Sequence, residues 1–176
     1  MHKDENELAP WKLAAGLGVF ATLTAFGFSY FGYYLSLLLK GLFSHAEAVT
    51  LNKGAFYCLG AAIIGCMLLY FGVRKLQGKA VSAAQNKRAS LIFFVGLGIA
   101  VVLPQLIHYP TASYLQAQGY SECELQSRQW LHDKVMVFTV TPEHCVNLAV
   151  AECAETPNRQ KCRLLPQFRT NKALTD

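Results

Sequence analysis

The stretch LAAGLGVFATLTAFGFSYFGYYLSLLL, residues 13–39, contains no charged side chain over 27 positions. Two further uncharged stretches follow, GAFYCLGAAIIGCMLLYFGV at 54–73 and ASLIFFVGLGIAVVLPQLIH at 89–108. A hydrocarbon core about 30 Å thick needs roughly 20 apolar helical residues, which each stretch supplies. The first stretch also exceeds the apolar core of a cleaved signal peptide, about 7–15 residues. The sequence therefore predicts an α-helical membrane protein with three transmembrane helices.

The composition excludes several other classes of protein. Of the 176 residues, 53% are hydrophobic and 15% are charged, whereas about 25% are charged in typical soluble domains. A disordered chain, a collagen, a coiled coil and a simple soluble enzyme are therefore excluded. The three stretches contain no Asp, Glu, Lys or Arg, although transporters and pumps usually hold such residues inside the membrane. The pattern therefore disfavours transport.

The net charge of +5 comes from one short segment between the second and third stretches. Residues 74–88 hold five basic residues and no acidic one: Arg74, Lys75, Lys79, Lys87 and Arg88. Such loops stay in the cytoplasm, which predicts a cytoplasmic N-terminus (1–12) and an outer tail (109–176). In a bacterium, the connection 40–53 and the tail then lie in the periplasm and the spans in the inner membrane. Nucleic-acid binding is disfavoured because the basic residues are not interleaved with aromatic ones.

Small residues recur at four-residue spacing within the predicted spans. Such rows let helix backbones approach closely in lipid, so they predict helix-packing positions. The C-terminal half of the first span is instead aromatic, as expected of an interfacial belt. In the third span, Pro104 predicts a kink or an unwound last turn. The predicted packing residues are Ala14, Gly18, Ala21, Ala25, Ser29, Ala61, Gly65, Gly96 and Ala100.

The tail is predicted to be a small α+β domain. Lys134–Val140 alternates in polarity and is rich in Val, Met and Phe, which indicates a strand. Thr141 followed by Pro142 is typical of a helix start, and this helix should run to about Glu155. Shorter helical turns are predicted over 113–118 and around 159–165.

Four of the six cysteines lie in the tail: Cys123, Cys145, Cys153 and Cys162. Thiols outside the cytoplasm oxidise, and the tail is too small for a large core, so two disulfides are predicted. Four cysteines allow three connectivities. Cys153 and Cys162 lie almost symmetrically about Pro157-Asn158, which favours the pair Cys153–Cys162 and leaves Cys123 with Cys145.

No catalytic, cofactor-binding or metal-binding motif is apparent in the sequence. A zinc site that combines His132 and His144 with the tail cysteines is disfavoured, because close Cys-x-x-Cys or His-x-x-x-His spacing is lacking. A quinone-coupled thiol oxidoreductase would need a reactive Cys-x-x-Cys pair, whereas Cys145 and Cys153 are eight residues apart. We therefore expect no enzymatic activity and no cofactor.

Two short segments of the tail resemble those of a known family. They are Gly119-Tyr120-Ser121-Glu122-Cys123 and Lys134-Val135-Met136-Val137-Phe138. The chain resembles a family of small proteobacterial inner-membrane proteins with Gly-Tyr-x-x-Cys after the last span, which tend to lie beside toxin genes. The layout is similar to that of immunity proteins against membrane-depolarising or pore-forming toxins, including type VI secretion effectors and some colicins. The resemblance implies a role for one residue only, which is Cys123 as a disulfide partner.

This resemblance implies an immunity protein that neutralises a cognate toxin by direct binding. A toxin that inserts from the periplasm would meet the tail and the outer span ends, around residues 28–39 and 105–114. The alternative is an accessory or assembly subunit of an envelope or secretion complex. The rows of small residues and the disulfide-bonded tail are equally compatible with such a subunit. A homo-oligomer is compatible with either interpretation.

Overall fold

The computed structural model describes residues 10–130, 133–155 and 162. The described residues divide into two compact units. The helical unit contains the residues up to Leu35 and those from Gly54 to Ile107, and the sheet unit contains 36–53 and the residues from His108 onward. The elements, in chain order, are α1 (Pro10–Phe43), β1 (Ala48–Asn52), α2 (Lys53–Leu76), α3 (Ala83–Ala117), β2 (Ser121–Glu122), β3 (Arg128–Trp130), β4 (Asp133–Thr139) and α4 (Pro142–Glu155).

The three uncharged stretches are helical, as predicted, and α1, α2 and α3 are each long and apolar enough to cross a membrane. Helices α1 and α3 extend beyond the predicted spans, with 34 and 35 residues. Helix α3 continues through Pro104 and Pro110 to Ala117. The helix therefore does not unwind at Pro104, which was one of the two outcomes predicted there, and residues 113–117 are helical as predicted but as part of α3. A proline removes one backbone hydrogen bond, and a long helix can absorb that loss by bending.

Helix α3 ends in a hydrogen-bonded cap at Gly119. The Tyr120 N–H donates to the Leu115 carbonyl and the Gly119 N–H to the Gln116 carbonyl, each at 3.0 Å. This pattern requires a left-handed residue after the helix. Gly119 supplies it with a φ of 88°, a conformation that costs glycine little.

In the helical unit, α2 contacts both of the other helices. The rings of Phe31 in α1 and Phe56 in α2 meet edge to face with centroids 5.8 Å apart. On another side of α2, Gly60 lies against Ala100 of α3. Consecutive helices therefore pack in pairs, with α2 shared between them.

Strand β4 is the centre of a small antiparallel sheet, with β1 on one side and β2 and β3 on the other. Val49 pairs with Phe138, and Leu51 pairs with Met136. All four side chains are at most 2% exposed and form the core of the sheet unit. The prediction of a strand over Lys134–Val140 is confirmed, whereas β1, β2 and β3 were not predicted.

The segment 40–53 is more than the connecting loop that the sequence suggested, because it is hydrogen-bonded to the tail. Besides β1, the hydroxyl of Tyr120 donates to the Ala46 carbonyl at 2.8 Å, and the Val140 N–H donates to the Glu47 carbonyl at 3.2 Å. The His144 Nδ1 lies 3.2 Å from a carboxylate oxygen of Glu47. The sheet unit is thus built from two separate parts of the chain.

Helix α4 confirms the predicted helix over 142–155. The His144 N–H donates to Thr141 Oγ1 at 3.3 Å, the bond expected of an N-capping threonine. The predicted turn at Pro157-Asn158 and most of the predicted turn at 159–165 lie outside the described residues.

Candidate functional site

All four tail cysteines form disulfides. The pairs are Cys123–Cys145 and Cys153–Cys162, each with Cα atoms 5.5 Å apart. They are the pairs that the cysteine spacing favours. The first attaches the segment after β2 to the first turn of α4, and the second attaches the last turn of α4 to Cys162. The buried Cys153 and Cys162 also pack with Ala149 and Leu125 in a small apolar cluster.

The disulfides remove the thiolates that a zinc site would need. Within the described ranges, no group of three or more His, Cys, Asp and Glu side chains is placed to hold a metal ion. His132, which the zinc alternative also needed, lies outside those ranges.

The contact between α2 and α3 involves two of the predicted packing residues, Gly96 and Ala100. A Cβ atom added at Gly60 would lie 2.5 Å from both the Ala100 Cβ and the Gly96 carbonyl oxygen. A Cβ atom at Gly96 would lie 2.8 Å from Ile64 Cγ1. These distances are too short for real Cβ atoms, so the close approach depends on glycine at both positions.

The contact between α1 and α2 involves a third predicted residue, Gly65, which lies against the hydroxyl of Thr24. A Cβ atom at Gly27 would lie 3.3 Å from the Ala62 Cβ. The predicted Ala61 is exposed, while Gly60 and Ala62 on either side of it are buried. Three consecutive small residues occupy these positions, and four-residue spacing alone cannot decide which of them faces a neighbour.

The predicted packing residues of α1 do not pack against the chain's own helices. Their side chains are exposed, and no described atom lies within 4 Å of a Cβ built at Gly18. Helix α1 instead meets α2 through Thr24 and Gly27, on a different side, so the packing role of these residues stays a prediction. We call these residues the outward α1 face: Ala14, Gly18, Ala21, Ala25 and Ser29.

A second exposed feature lies in the sheet unit, where the ends of α1 and α3 border an apolar groove of about 340 Å³. We call it the Phe43 groove, and it is lined by Leu42, Phe43, Pro110, Thr111 and Tyr114. Phe43 is 82% exposed, which is unusual for a large apolar side chain in a small folded unit. Part of this groove falls within residues 105–114, where toxin contact was expected. Leu42 and Phe43 were not expected there.

The Gly-Tyr-x-x-Cys segment has a structural role at each of its defining positions. Gly119 ends α3, the buried Tyr120 donates to the Ala46 carbonyl, and Cys123 forms a disulfide. The segment thereby joins the end of α3 to the residues just before β1 and to α4.

No protein-family model, curated protein or solved structure matches this chain. The candidate site consists of two exposed surfaces, the outward α1 face and the Phe43 groove. The first is a row of exposed small residues on one helix, and the second is an exposed apolar groove.

Proposed function

We propose that the protein is a bacterial inner-membrane immunity protein that neutralises a membrane-targeting toxin by direct binding, without catalysis. The three long helices cross the inner membrane, with the basic segment 74–88 in the cytoplasm and the sheet unit in the periplasm. This orientation follows from the charge of the segment, since Lys and Arg are retained on the cytoplasmic side.

The outward α1 face carries the proposal. Lipid tails are as apolar as leucine, so helices associate in a membrane mainly where small residues allow close packing. Helix α1 keeps a row of such residues exposed and uses Thr24 and Gly27 for its contact with α2. An inserted toxin helix that packs on this row would be held away from the other helices of a pore.

The Phe43 groove supports the proposal as a second contact. In the proposed orientation it lies on the periplasmic side, from which such a toxin enters. Phe43 and Tyr114 offer exposed rings beside a groove, and aromatic side chains of this kind contribute strongly to binding between proteins. The groove would receive an apolar segment of the toxin before insertion.

The test uses the product of the gene adjacent to this one, directed to the periplasm, and a voltage-sensitive dye that reports membrane potential. We expect the potential to collapse when that product is made alone and to hold when this protein is present. If the product is harmless, or if this protein changes nothing, the proposal fails and an accessory subunit of an envelope complex becomes the better interpretation.

Matched variants then separate the two surfaces. Gly18→Leu fills the outward α1 face, while Gly98→Leu adds the same side chain at an exposed glycine of α3 that likewise has no described atom within 4 Å of a built Cβ. We expect Gly18→Leu to lose protection and Gly98→Leu to keep it at equal abundance in the membrane. Equal protection by both variants would exclude the outward α1 face, and loss of protection in Phe43→Ala would then assign binding to the groove.

A further inference from the structure

Two apolar grooves lie beside the contact between α2 and α3, at the end where these helices are joined by the basic segment. The larger has a volume of about 900 Å³ and the smaller about 300 Å³. They share Met67, Phe71 and Ala89 as walls. Both grooves lie on the outside of the helical unit, and neither is part of the proposed toxin-binding surfaces.

The larger groove is polar at one side and apolar inside. Asn86 and Ser90 line it four residues apart on one side of α3, and Ser82, just before the helix, lines it as well. Deeper along α3, Phe93 also lines the groove. The smaller groove is likewise lined by both polar and apolar residues, Gln85 and Arg88 on one hand and Ile92 on the other. An amphiphile with an apolar chain and a polar head matches this arrangement.

The polar end of the grooves is strongly positive. The segment 74–88 holds five basic residues and no acid, and Arg88 lines the smaller groove directly. The guanidinium of Arg74 donates to the Ala80 carbonyl at 3.0 Å, which holds its charge beside the turn. Helix α3 begins here, so its N-terminus adds a partial positive charge.

We propose that these grooves bind an anionic phospholipid, with acyl chains against Met67, Phe71 and Phe93 and the phosphate at the polar end near Arg88. Charge complementarity selects the anionic headgroup, because basic residues beside a membrane attract negatively charged lipids. The proposal rests on the membrane insertion proposed above and is independent of any toxin. The site would hold the α2–α3 hairpin at the cytoplasmic leaflet.

The test is fluorescence quenching in the full-length protein, reconstituted into phosphatidylcholine vesicles that contain brominated phosphatidylglycerol or brominated phosphatidylcholine. The two native tryptophans, Trp11 and Trp130, are first replaced by Phe. Phe93→Trp then places a reporter in the larger groove. Val19→Trp is the matched control, because Val19 is exposed and lies at a similar distance from the start of α1 as Phe93 does from the start of α3.

We expect phosphatidylglycerol to be preferred at the Phe93→Trp reporter, by roughly fivefold for each basic side chain that contacts the phosphate. The Val19→Trp reporter should show little preference. Replacing Lys79, Lys87 and Arg88 by Gln should abolish the preference, while Lys79→Arg with Lys87→Arg should keep it. The Arg variants show that a loss reflects charge and not misfolding.

Three outcomes would overturn the proposal. Equal quenching by the two lipids at the Phe93→Trp reporter would mean that the grooves do not select a headgroup. An equal preference at both reporters would indicate a general surface charge without a site. A preference that survives the Gln substitutions would show that the basic segment does not recognise the phosphate.

Discussion

The helical unit and the sheet unit are stabilised by different means. In the helical unit, glycine and alanine bring helix backbones together, and most large apolar side chains face outward. In the sheet unit, Val49, Leu51, Met136 and Phe138 are buried in a core and two disulfides cross-link the chain. The difference indicates which solvent each unit is suited to, since a membrane solvates exposed apolar side chains and water does not.

The largest expected contrast between the units comes from truncating a phenylalanine in each. Phe138→Ala removes a ring that is 1% exposed in the sheet core and should lower the free energy of unfolding by about 3–5 kcal/mol. Phe26→Ala removes a ring that is 63% exposed on α1 and should cost about 0.5 kcal/mol or less. Hydrogen exchange of amides in β4 and α1 measures both effects. An equal loss of stability in Phe26→Ala and Phe138→Ala would show that large apolar side chains contribute alike in the two units.

Removing the disulfides should weaken the sheet unit and leave the helical unit unchanged. The bridges close segments with sequence separations of 22 and 9, for which loop entropy predicts about 3.4 and about 2.6 kcal/mol. Replacing Cys123 and Cys145 by Ser should therefore destabilise β4 more than replacing Cys153 and Cys162. Exchange rates in β4 and α2 test both statements. Faster exchange throughout α2 would show that the helical unit depends on the disulfides.

Adding one methyl group should distinguish the inward and outward sides of the helical unit. Gly60→Ala places a Cβ 2.5 Å from the Gly96 carbonyl oxygen, so the helices must separate, at a cost of about 1–3 kcal/mol. Gly18→Ala meets open space among the described residues and should be neutral or slightly stabilising, because alanine favours helix. Thermal unfolding in detergent, followed by circular dichroism, measures the pair. Equal unfolding temperatures would mean that α2 and α3 do not approach so closely.

The smallest expected effects concern one helix cap in each unit. In the helical unit, Ser82 and Gln85 exchange two hydrogen bonds, at 3.0 and 3.2 Å, in a capping box. In the sheet unit, Thr141 Oγ1 accepts one bond at 3.3 Å. Each change to alanine should cost about 0.5–2 kcal/mol, with Ser82→Ala nearer the upper end. Exchange of first-turn amides in α3 and α4 gives both values, and a larger effect at Thr141 would reverse the expected order.

The long helices, β4 and α4 were predictable because each has a local signal. A charge-free run of about 20 residues or a threonine before proline needs no distant partner to be recognised. Strand β1 has five residues, AVTLN, beside a helix, and it is a strand because β4 pairs with it. That information lies beyond α3 in the sequence, so no local pattern contains it.

The candidate site was predictable only in part, for a similar reason. Of the predicted packing residues, Gly65, Gly96 and Ala100 lie at contacts between helices, but four-residue spacing could not choose among Gly60, Ala61 and Ala62. The residues of the outward α1 face were recognised as small, yet the sequence could not show that α1 meets its neighbour on another side. Which side of a helix is covered depends on tertiary packing, and small residues allow several arrangements.

The pairing of β1 with β4 has a consequence for biosynthesis. Helices α2 and α3 separate these strands in the chain, so β1 and β4 reach the same side of a membrane only if both helices cross or neither does. A chain in which just one of them inserted would leave β1 and β4 on opposite sides, with Leu51 and Met136 unpaired. Because β4 is the last of the four strands to be made, β1 would have to wait for its partner, in the proposed orientation, until the α2–α3 hairpin has inserted. In that orientation the sheet would form only after correct insertion, and a chain with failed insertion would expose its unpaired strands to quality-control proteases.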